Sequence, residues 1–594
     1  MPKTLRWSRF AILCALVIIP IVTACGPAAT TVPATSAPAA TSAPAATSAP
    51  AATNAPAATS APAATSAPAA TNAPTSTSLP TLAPATQAGT PKVGGKLVYS
   101  AAQQPDTLDI QKSGFGITNN VSTWLGGTLV AKDINGKYVP YLADSWTISP
   151  DGLTWTLKLH QGVKFSNGDP LKAQDWVYTI QRAKDPATKS PVTKGLVDPI
   201  SNVVASDDYT LVLTLSKPFF PLLENLTSGY LEPYSKRAVD AAGANYGHNP
   251  VGVGPYVFKE WVQDDHILLE RNPDFTWGPK LYDGANTGPY YIQEVEYRVI
   301  PEYATQLAGM QSNDIDMIYP QAKDVAALEA QGNVTVQQFV GTATFHMIVN
   351  ESQPPFNDLN VRKAFALALD RQAIIKVATN GTAKELHGPL TPSVVGYDPN
   401  AESVGYGFDL AQAKTLMQQA GYTTGSDGML SKGGQPFKIT MKTPTIDYYV
   451  KISQIIAEQW KALGVDVTIQ QFDWGTLSPQ YLSGDFQIGT LEVGWPEADI
   501  LWLWFHSSQI GTFWGPRVGN PDLDKLLDLT RTTTDPAQRQ QYVNQAQEYI
   551  AKNLLLIPIL GMPDFFALNN RVTGARFSEF FGTAGDFASA YINQ

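Results

Sequence analysis

The sequence is short of cysteine and of charged residues. Only 2 of its 594 residues are cysteine, and charged residues make up 15%, against about 25% in typical soluble domains. Two cysteines exclude both a scaffold held by several disulfides and a cysteine-rich metal site. The net charge of −10 argues against nucleic-acid binding, which needs a basic surface to neutralise phosphates.

Acidic residues are missing from the whole N-terminal part. None precedes Asp106, and residues 26–91 carry no charge at all. From Thr35 a six-residue unit, Thr-Ser-Ala-Pro-Ala-Ala, recurs with Asn replacing Ser twice. A unit this short, with proline in every copy, cannot bury enough apolar surface to offset chain entropy. We therefore expect residues 25–92 to form a disordered Ala/Thr/Ser/Pro-rich tether with polyproline II character, open to O-glycosylation.

The first 25 residues have the pattern of an export signal. A basic start precedes an apolar run over residues 10–22, which is too short to span a bilayer comfortably. The run ends in Val22-Thr23-Ala24-Cys25, which resembles a bacterial lipobox. We expect residues 1–24 to be a lipoprotein signal peptide and Cys25 to carry the lipid, on the outer side of a cell membrane. The alternative is an ordinary signal peptide with an incidental cysteine.

Catalytic and metal-binding signatures are missing as well. The sequence contains neither a Gly-x-Ser-x-Gly elbow nor a P-loop, and its six histidines never lie three or four residues apart. Asn313-Asp-Ile-Asp316 is too short for a calcium loop and lacks the glycine. We expect no catalytic residue, no metal and no cofactor, although only the fold could bring together a carboxylate pair for glycoside hydrolysis.

The remaining chain predicts an α/β protein with a strand-rich middle region. Pro150-Asp151-Gly152 separates two alternating runs and predicts a hairpin over residues 146–159, and a second hairpin is predicted over 203–215. In the C-terminal half, residues 437–470 read as strand, helix, strand, a βαβ unit of a parallel sheet.

Two further helices are predicted in the C-terminal half from their caps. One begins at Asp358 or Asn360 and ends at Asn380-Gly381, and the other begins after Asp409 and ends at Gly421.

Aromatic residues are concentrated near position 500. The run Gly494-Trp-Pro-Glu-Ala-Asp499 is followed by five more aromatics within fifteen residues, a composition typical of a small-molecule pocket. Trp502 and Trp504 are better explained by core packing, whereas a tryptophan between glycine and proline indicates a loop. The predicted ligand-binding residues are Gly494, Trp495, Pro496, Glu497, Asp499, Trp124 and Trp514.

Several long motifs together resemble one family. The run from Tyr138 to Pro170, with Trp146, Pro150-Asp-Gly and Trp155, resembles the signature of family 5 extracellular solute-binding proteins, the oligopeptide and dipeptide receptors of ABC importers. Further matches follow in the order of the family: Asn249–Tyr256, Leu269–Pro273, Val361–Asp370, Asp409–Leu416 and Asn520–Asp524.

The resemblance implies a fold and a set of domains. The fold would be a two-lobed periplasmic-binding-protein type II clamp with an additional β-rich domain and a discontinuous lobe I. The implied bounds are 93–126, 250–345 and 556–594 for lobe I, 127–249 for the β-rich domain and 346–555 for lobe III. The ligand would lie between lobes I and III, and its binding would close the hinge.

The implied function is capture of a peptide and its delivery to the ABC permease, by a lipid-anchored monomer that binds no nucleic acid. Peptide-binding members carry an Asp for the peptide ammonium where this chain has Ala498, so that Glu497 or Asp499 would have to replace it. An oligosaccharide or another small solute is the alternative ligand. A cell-surface hydrolase and a structural wall protein are the alternative functions.

Overall fold

The computed structural model describes residues 91–515, 517, 519–578, 580 and 585–593. The predicted signal peptide, Cys25 and the tether up to residue 90 lie outside the described residues. In the part that is described, no helix is both long enough and apolar enough to cross a membrane.

Strands of the described residues group into one large sheet and several small ones. In chain order they are β1 (Lys96–Ala101), β2 (Val130–Lys132), β3 (Tyr138–Pro140), β4 (Ala143–Ile148), β5 (Thr154–Leu159), β6 (Ile200–Asp207), β7 (Thr210–Leu215), β8 (Tyr256–Val262), β9 (His266–Arg271), β10 (Glu294–Val299), β11 (Met317–Ile318), β12 (Val334–Val349), β13 (Lys384–Glu385), β14 (Thr423–Thr424), β15 (Leu430–Lys432), β16 (Gln435–Pro436), β17 (Lys438–Pro444), β18 (Asp466–Phe472), β19 (Ile488–Gly494), β20 (Leu556–Asn569), β21 (Val572–Thr573) and β22 (Tyr591–Ile592).

Helices separate many of these strands along the chain. In chain order they are α1 (Gly116–Leu125), α2 (Ala173–Lys184), α3 (Thr193–Val197), α4 (Leu222–Asn225), α5 (Lys236–Ala242), α6 (Tyr303–Ser312), α7 (Val325–Glu329), α8 (Leu359–Leu367), α9 (Arg371–Ala378), α10 (Pro399–Val404), α11 (Leu410–Gln419), α12 (Asp447–Leu463), α13 (Trp474–Ser483), α14 (Ile500–Phe505), α15 (Pro521–Thr532) and α16 (Pro536–Asn553).

The large sheet runs in the order β18-β17-β19-β12-β20-β11-β1-β10-β9-β8, with β13 added on β20. Its two longest strands, β12 and β20, form an antiparallel ribbon in the middle. One end of this ribbon adjoins β19, and the other end adjoins β11. The ribbon therefore connects the C-terminal α/β part of the sheet with the part built around β1.

The ladder between β12 and β20 is interrupted in its centre. The register shifts between Val340 and Thr344. The Thr391 hydroxyl donates to the Gly341 carbonyl at 2.8 Å, and the Ser393 hydroxyl donates to the Val340 carbonyl. A register shift of this kind bends the strand locally and interrupts the ladder.

The strand-rich middle region contains both predicted hairpins. Strands β4, β5, β7 and β6 form a four-stranded antiparallel sheet, and Gly152 takes the positive φ of +72° that the turn between β4 and β5 requires. Trp155 of β5 and Trp176 of α2 are buried in its core.

The predicted βαβ unit is present as β17, α12 and β18. The two strands pair in parallel from Lys438 opposite Asp466 to Pro444 opposite Phe472. Trp460 of α12 is fully buried, and its indole donates to the Phe365 carbonyl at 3.0 Å. Gly464 ends α12 with φ +99°, a conformation that glycine adopts without strain.

One predicted helix is wrong in its extent. The helix expected from Asp358 to Asn380-Gly381 is two helices, α8 and α9. Asp358 caps α8 as expected, but Asp370 caps α9 by accepting from the Ala373 amide at 2.9 Å. A second N-cap inside the helical pattern allows the chain to turn between the two segments.

Candidate functional site

The candidate site lies where three neighbouring strands end. Strand β17 is parallel to both β18 and β19, so the carboxyl ends of all three, at Pro444, Phe472 and Gly494, lie at one edge of the sheet. In α/β sheets, ligands bind in the crevice outside the carboxyl ends of the strands.

This edge carries three large apolar side chains that the fold leaves exposed. Ile446, Trp474 and Trp495 each follow one of the three strands, and they are 45%, 40% and 39% exposed. Single exposed apolar residues are common, but three that follow neighbouring strands make this edge the candidate binding surface. We call Ile446, Trp474 and Trp495 the apolar rim.

Backbone hydrogen bonds on both sides of Trp495 fix the loop that carries it. Gly494 pairs with Ala343 of β12. The Pro496 carbonyl accepts from the Val395 amide at 3.0 Å, and the Ala498 amide donates to the Val395 carbonyl at 2.9 Å. The backbone on both sides of Trp495 is thus fixed while its side chain remains exposed. The predicted residues Gly494, Trp495 and Pro496 therefore lie together at the carboxyl edge.

Trp474, which the sequence analysis did not identify, begins α13 at the same edge. Its N-cap, Asp473, accepts from the Thr476 amide at 3.0 Å. The Trp474 ring packs edge-on against Trp514 with centroids 5.1 Å apart, and the Trp514 indole donates to the Ser478 hydroxyl at 2.9 Å. The predicted residue Trp514 is half-buried, and it contacts the apolar rim through Trp474.

Glu497 and Asp499, which the sequence predicted to take a ligand cation, are each paired with an arginine. Glu497 is 1% exposed, and its Oε1 lies 2.6 Å from Nη2 of Arg539. Asp499 is 7% exposed and binds Arg531 through two bonds of 2.6 and 2.7 Å. Both carboxylates are therefore already neutralised by an arginine, and Arg539 also donates to the Thr530 carbonyl.

Electrostatics at Glu497 reflect its burial. Burial raises the pKa of its carboxyl, the Arg539 guanidinium lowers it, and the nearby charge of Asp499 raises it again. Taking two charges out of water is costly, and the pair persists because each group has its partner at hydrogen-bonding distance. These ion pairs hold the backbone that follows the Trp495 loop.

The same arginines contact the strand-rich middle region. The Phe220 amide donates to the Arg531 carbonyl at 2.7 Å. The Arg531 guanidinium lies 3.5 Å from the Trp502 ring centroid and 5.4 Å from that of Phe219, and Arg539 lies 4.6 Å from that of Phe220. Such cation–π contacts add to the ion pairs. Trp502 is thus half-buried under an arginine, and Trp504, as expected, is buried.

Trp124, also predicted to bind the ligand, is a buried residue. It is 6% exposed, with ring centroids 5.4 Å from Tyr256 and 5.1 Å from Phe587. Its environment is the apolar core between α1 and β8, and the structure does not bring it together with the apolar rim.

Two carboxylates that the sequence did not reveal lie on β19 and beside the register break. Glu492 is half-buried on β19, two residues before Gly494, and its Oε2 accepts from the Tyr448 hydroxyl at 2.7 Å. Asp564 is on β20 beside the register break. Its Oδ2 lies so close to Gly341 that a Cβ at that position would be only 2.6 Å away. Partial burial raises the pKa of the Glu492 carboxyl, and the charge of Asp564 raises it further.

Metal binding has no visible basis in the described ranges. Among the residues that the structure describes, no three His, Cys, Asp or Glu side chains are grouped so that they could hold a metal ion.

Known proteins resemble this chain in both sequence and fold. The chain is 28% identical over 494 residues to the periplasmic oligopeptide-binding protein OppA of Salmonella typhimurium, which covers 78% of this chain and 86% of the relative. A Helicobacter pylori periplasmic binding protein, DppA, solved with the peptide STSA, matches with a TM-score of 0.64 and 26% identity over 85% of this chain and 99% of its own.

HbpA2 of Haemophilus parasuis has the same fold, with a TM-score of 0.75 at 24% identity over 84% of this chain and all of its own. The expected two-lobed α/β clamp is therefore confirmed. The family model of bacterial extracellular solute-binding proteins, family 5 Middle, matches residues 137–512, which is more than half of the sequence. The chain belongs to family 5 of the bacterial extracellular solute-binding proteins.

Proposed function

We propose that this protein is the extracytoplasmic receptor of an ABC importer, which captures a peptide and delivers it unchanged to the permease. The observation that carries the proposal is the apolar rim at the carboxyl ends of β17, β18 and β19, in a chain of this family. The relatives named above for binding peptides support peptide as the ligand class. A receptor role requires no catalytic residue.

The proposed contacts follow from the rim. Trp495 and Trp474 provide flat apolar faces for ligand side chains, and Ile446 extends that surface. Gly494 and Pro496 leave the backbone close to the ligand, and Trp514 supports Trp474. Binding an aromatic or aliphatic group between such faces removes apolar area from water.

The proposed movement uses the predicted domains. Lobe I comprises residues 93–126, 250–345 and 556–594, lobe III comprises 346–555, and the β-rich domain comprises 127–249. The β12–β20 ribbon connects the two lobes, and its register break supports a hinge there. A ligand that contacts both lobes binds the closed form better and so shifts the population towards it.

The proposed location rests on the N-terminal sequence. Residues 1–24 direct export, Cys25 carries the lipid, and the tether of residues 25–92 holds a monomeric receptor near the permease. At about 3.1 Å per residue, a polyproline II segment of this length reaches roughly 200 Å, enough for capture away from the membrane surface.

The test begins with any ligand that co-purifies with the protein. We would denature the protein after purification, identify the released small molecules by mass spectrometry, and titrate native protein with the same class by calorimetry. Recovery of intact peptides and one-to-one binding are expected. Oligosaccharides in place of peptides would overturn the peptide proposal, and release of cleaved products during incubation would instead support the hydrolase.

A further inference from the structure

Residues 127–249 are firmly joined to one side of the clamp. Their hydrophobic core includes Phe275 and Trp277, which belong to the predicted lobe I. A buried ion pair strengthens this junction, because Arg182 of α2 donates to both carboxylate oxygens of Asp109 at 3.0 and 2.6 Å. The two side chains are 9% and 2% exposed. Separating these parts would expose a shared core and leave buried charges unpaired.

The contact between residues 127–249 and residues 346–555 is much lighter. No hydrophobic cluster of described residues has members from both ranges. Across the same part of the chain, one hydrogen bond is seen to join them: the Phe220 amide donates to the Arg531 carbonyl at 2.7 Å. This carbonyl lies in the last turn of α15, where helix carbonyls have no partner within the helix.

Two aromatic rings complete this contact. The Arg531 guanidinium lies 5.4 Å from the Phe219 ring centroid, and that of Arg539 lies 4.6 Å from the Phe220 centroid. Phe219 is half-buried and Phe220 is 7% exposed. We call Phe219, Phe220, Arg531 and Arg539 the latch. Each cation–π contact is modest in strength, so the latch is able both to hold and to release.

The β4–β5 hairpin also approaches residues 346–555 at its turn. A Cβ at Gly152 would lie 3.1 Å from Cγ2 of Thr534, in the connection between α15 and α16. Glycine leaves room for this close approach. The latch and this turn consist of protein groups alone, so their contacts form whether or not a ligand is bound.

We propose that Phe219 and Phe220 are positioning residues for ligand retention, which act through Arg531 and Arg539 to hold the clamp closed. The inference rests on the proposed receptor function and adds to it a contact that stabilises the closed form. Because residues 127–249 move with lobe I, opening the clamp separates the latch, and a ligand in the cleft leaves only after that step. The latch therefore lengthens the time for which a ligand stays bound.

The test compares two paired variants with a matched control. Phe219→Ala/Phe220→Ala removes both rings, whereas Phe219→Leu/Phe220→Leu keeps apolar side chains and removes only the aromatic faces. The control, Tyr209→Ala, removes a half-buried ring that packs against the same core but is outside the latch. Thermal unfolding confirms that each variant is folded. The single change Phe219→Ala, at a half-buried position, serves as the test if the alanine pair does not fold.

The first measurement, hydrogen–deuterium exchange, needs no ligand. In the alanine pair we expect the amide of residue 220 and the amides of residues 340–344 to exchange about tenfold faster, because the open form is more populated. The amides of β7, in the sheet that precedes the latch in the chain, should exchange at the wild-type rate. The leucine pair should show a smaller increase, and Tyr209→Ala should show none at residues 220 and 340–344.

The second measurement is the dissociation rate of two probes, the tripeptide Ala-Phe-Ala and the trisaccharide cellotriose, followed by stopped-flow tryptophan fluorescence. A probe that binds should leave the alanine pair about tenfold faster than the wild type. Its association rate should change by less than about threefold, because the latch closes after capture. A merely structural role for the two rings would not produce this split between the rates.

Each outcome decides between the two proposals. Unchanged exchange at residues 220 and 340–344 in the alanine pair, or an unchanged dissociation rate of a bound probe, overturns the latch and leaves the receptor function intact. Equally faster exchange in β7 indicates local unfolding and also overturns the latch. Binding of cellotriose alone overturns peptide as the ligand class, and its dissociation rate then tests the latch. If neither probe binds, the exchange rates decide the latch by themselves.

Discussion

The eight residues from Glu492 to Asp499 contain carboxylates in two different electrostatic environments. Beyond the loop tip, Glu497 and Asp499 are buried and each meets an arginine from α15 or α16. Before the tip, Glu492 is half-buried and accepts a hydrogen bond from the Tyr448 hydroxyl. The tip itself, Trp495, is exposed.

The difference separates framework from binding surface. A buried carboxylate with an arginine at 2.6 Å is already satisfied and holds the chain in place, whereas the exposed ring of Trp495 remains accessible to a ligand. Changes beyond the tip should therefore affect stability first, and changes at or before it should affect ligand binding first. Four variants test this division, in order of decreasing effect.

Arg539→Leu should have the largest effect. It leaves Glu497 buried without its cation and removes the contact with Phe220, at an expected loss of about 3–5 kcal/mol in the free energy of unfolding. Urea denaturation measures this loss. The double variant Glu497→Leu/Arg539→Leu should recover much of it, and a double variant as unstable as the single one would show that the ion pair is not the cause.

Trp495→Ala should come next and should act on binding. Removal of this exposed ring eliminates stacking against the ligand, and we expect affinity for the identified ligand to fall about 30- to 150-fold, or roughly 2–3 kcal/mol. Calorimetry gives the affinity, and the unfolding midpoint should barely move. Unchanged affinity would contradict the placement of the site at the apolar rim.

Asp499→Asn should lower stability and leave binding unchanged. It weakens the two-bond pair with Arg531, for which we expect a loss of about 2 kcal/mol in unfolding free energy. Affinity for a cationic ligand should stay within about twofold. A selective loss of affinity for that ligand would place Asp499 in the binding surface after all.

Trp474→Ala should have the smallest effect of the four. Its ring is partly supported by Trp514, so its loss removes one face of the rim and should weaken binding by about fivefold, or roughly 1 kcal/mol. The matched control is Phe408→Ala, which removes an exposed aromatic ring far from the strand ends in sequence. An equal loss of affinity in the control would show that Trp474 has no specific role in binding.

Local patterns predicted much of the fold. Pro150-Asp151-Gly152 predicted the β4–β5 hairpin because the turn needs a residue that tolerates positive φ. The alternation around residues 437–470, with Gly464 ending the helix, predicted β17, α12 and β18. The break between α8 and α9 was missed because the helical spacing continues through Asp370, and only the observed cap bond shows where the second helix begins.

The site was less predictable because its properties arise from distant parts of the chain. Trp495 stood out locally between a glycine and a proline. The partners of Glu497 and Asp499 lie 42 and 32 residues further on, and no spacing rule reveals such pairs. Tertiary packing, rather than the neighbouring residues in sequence, likewise determines that Trp474 is exposed and that Trp124 is buried. It also determines that Glu492 has no ion-pair partner among the described residues.

Hydrogen–deuterium exchange with and without the released ligand tests the central claim most directly, namely that the ligand binds at the carboxyl ends of β17, β18 and β19. We predict slower exchange on binding in residues 444–448, 472–474 and 492–496, together with the hinge ribbon at 340–344. Protection confined to other regions, such as the four-stranded sheet of residues 143–215, with no change at these three strand ends, would contradict the account.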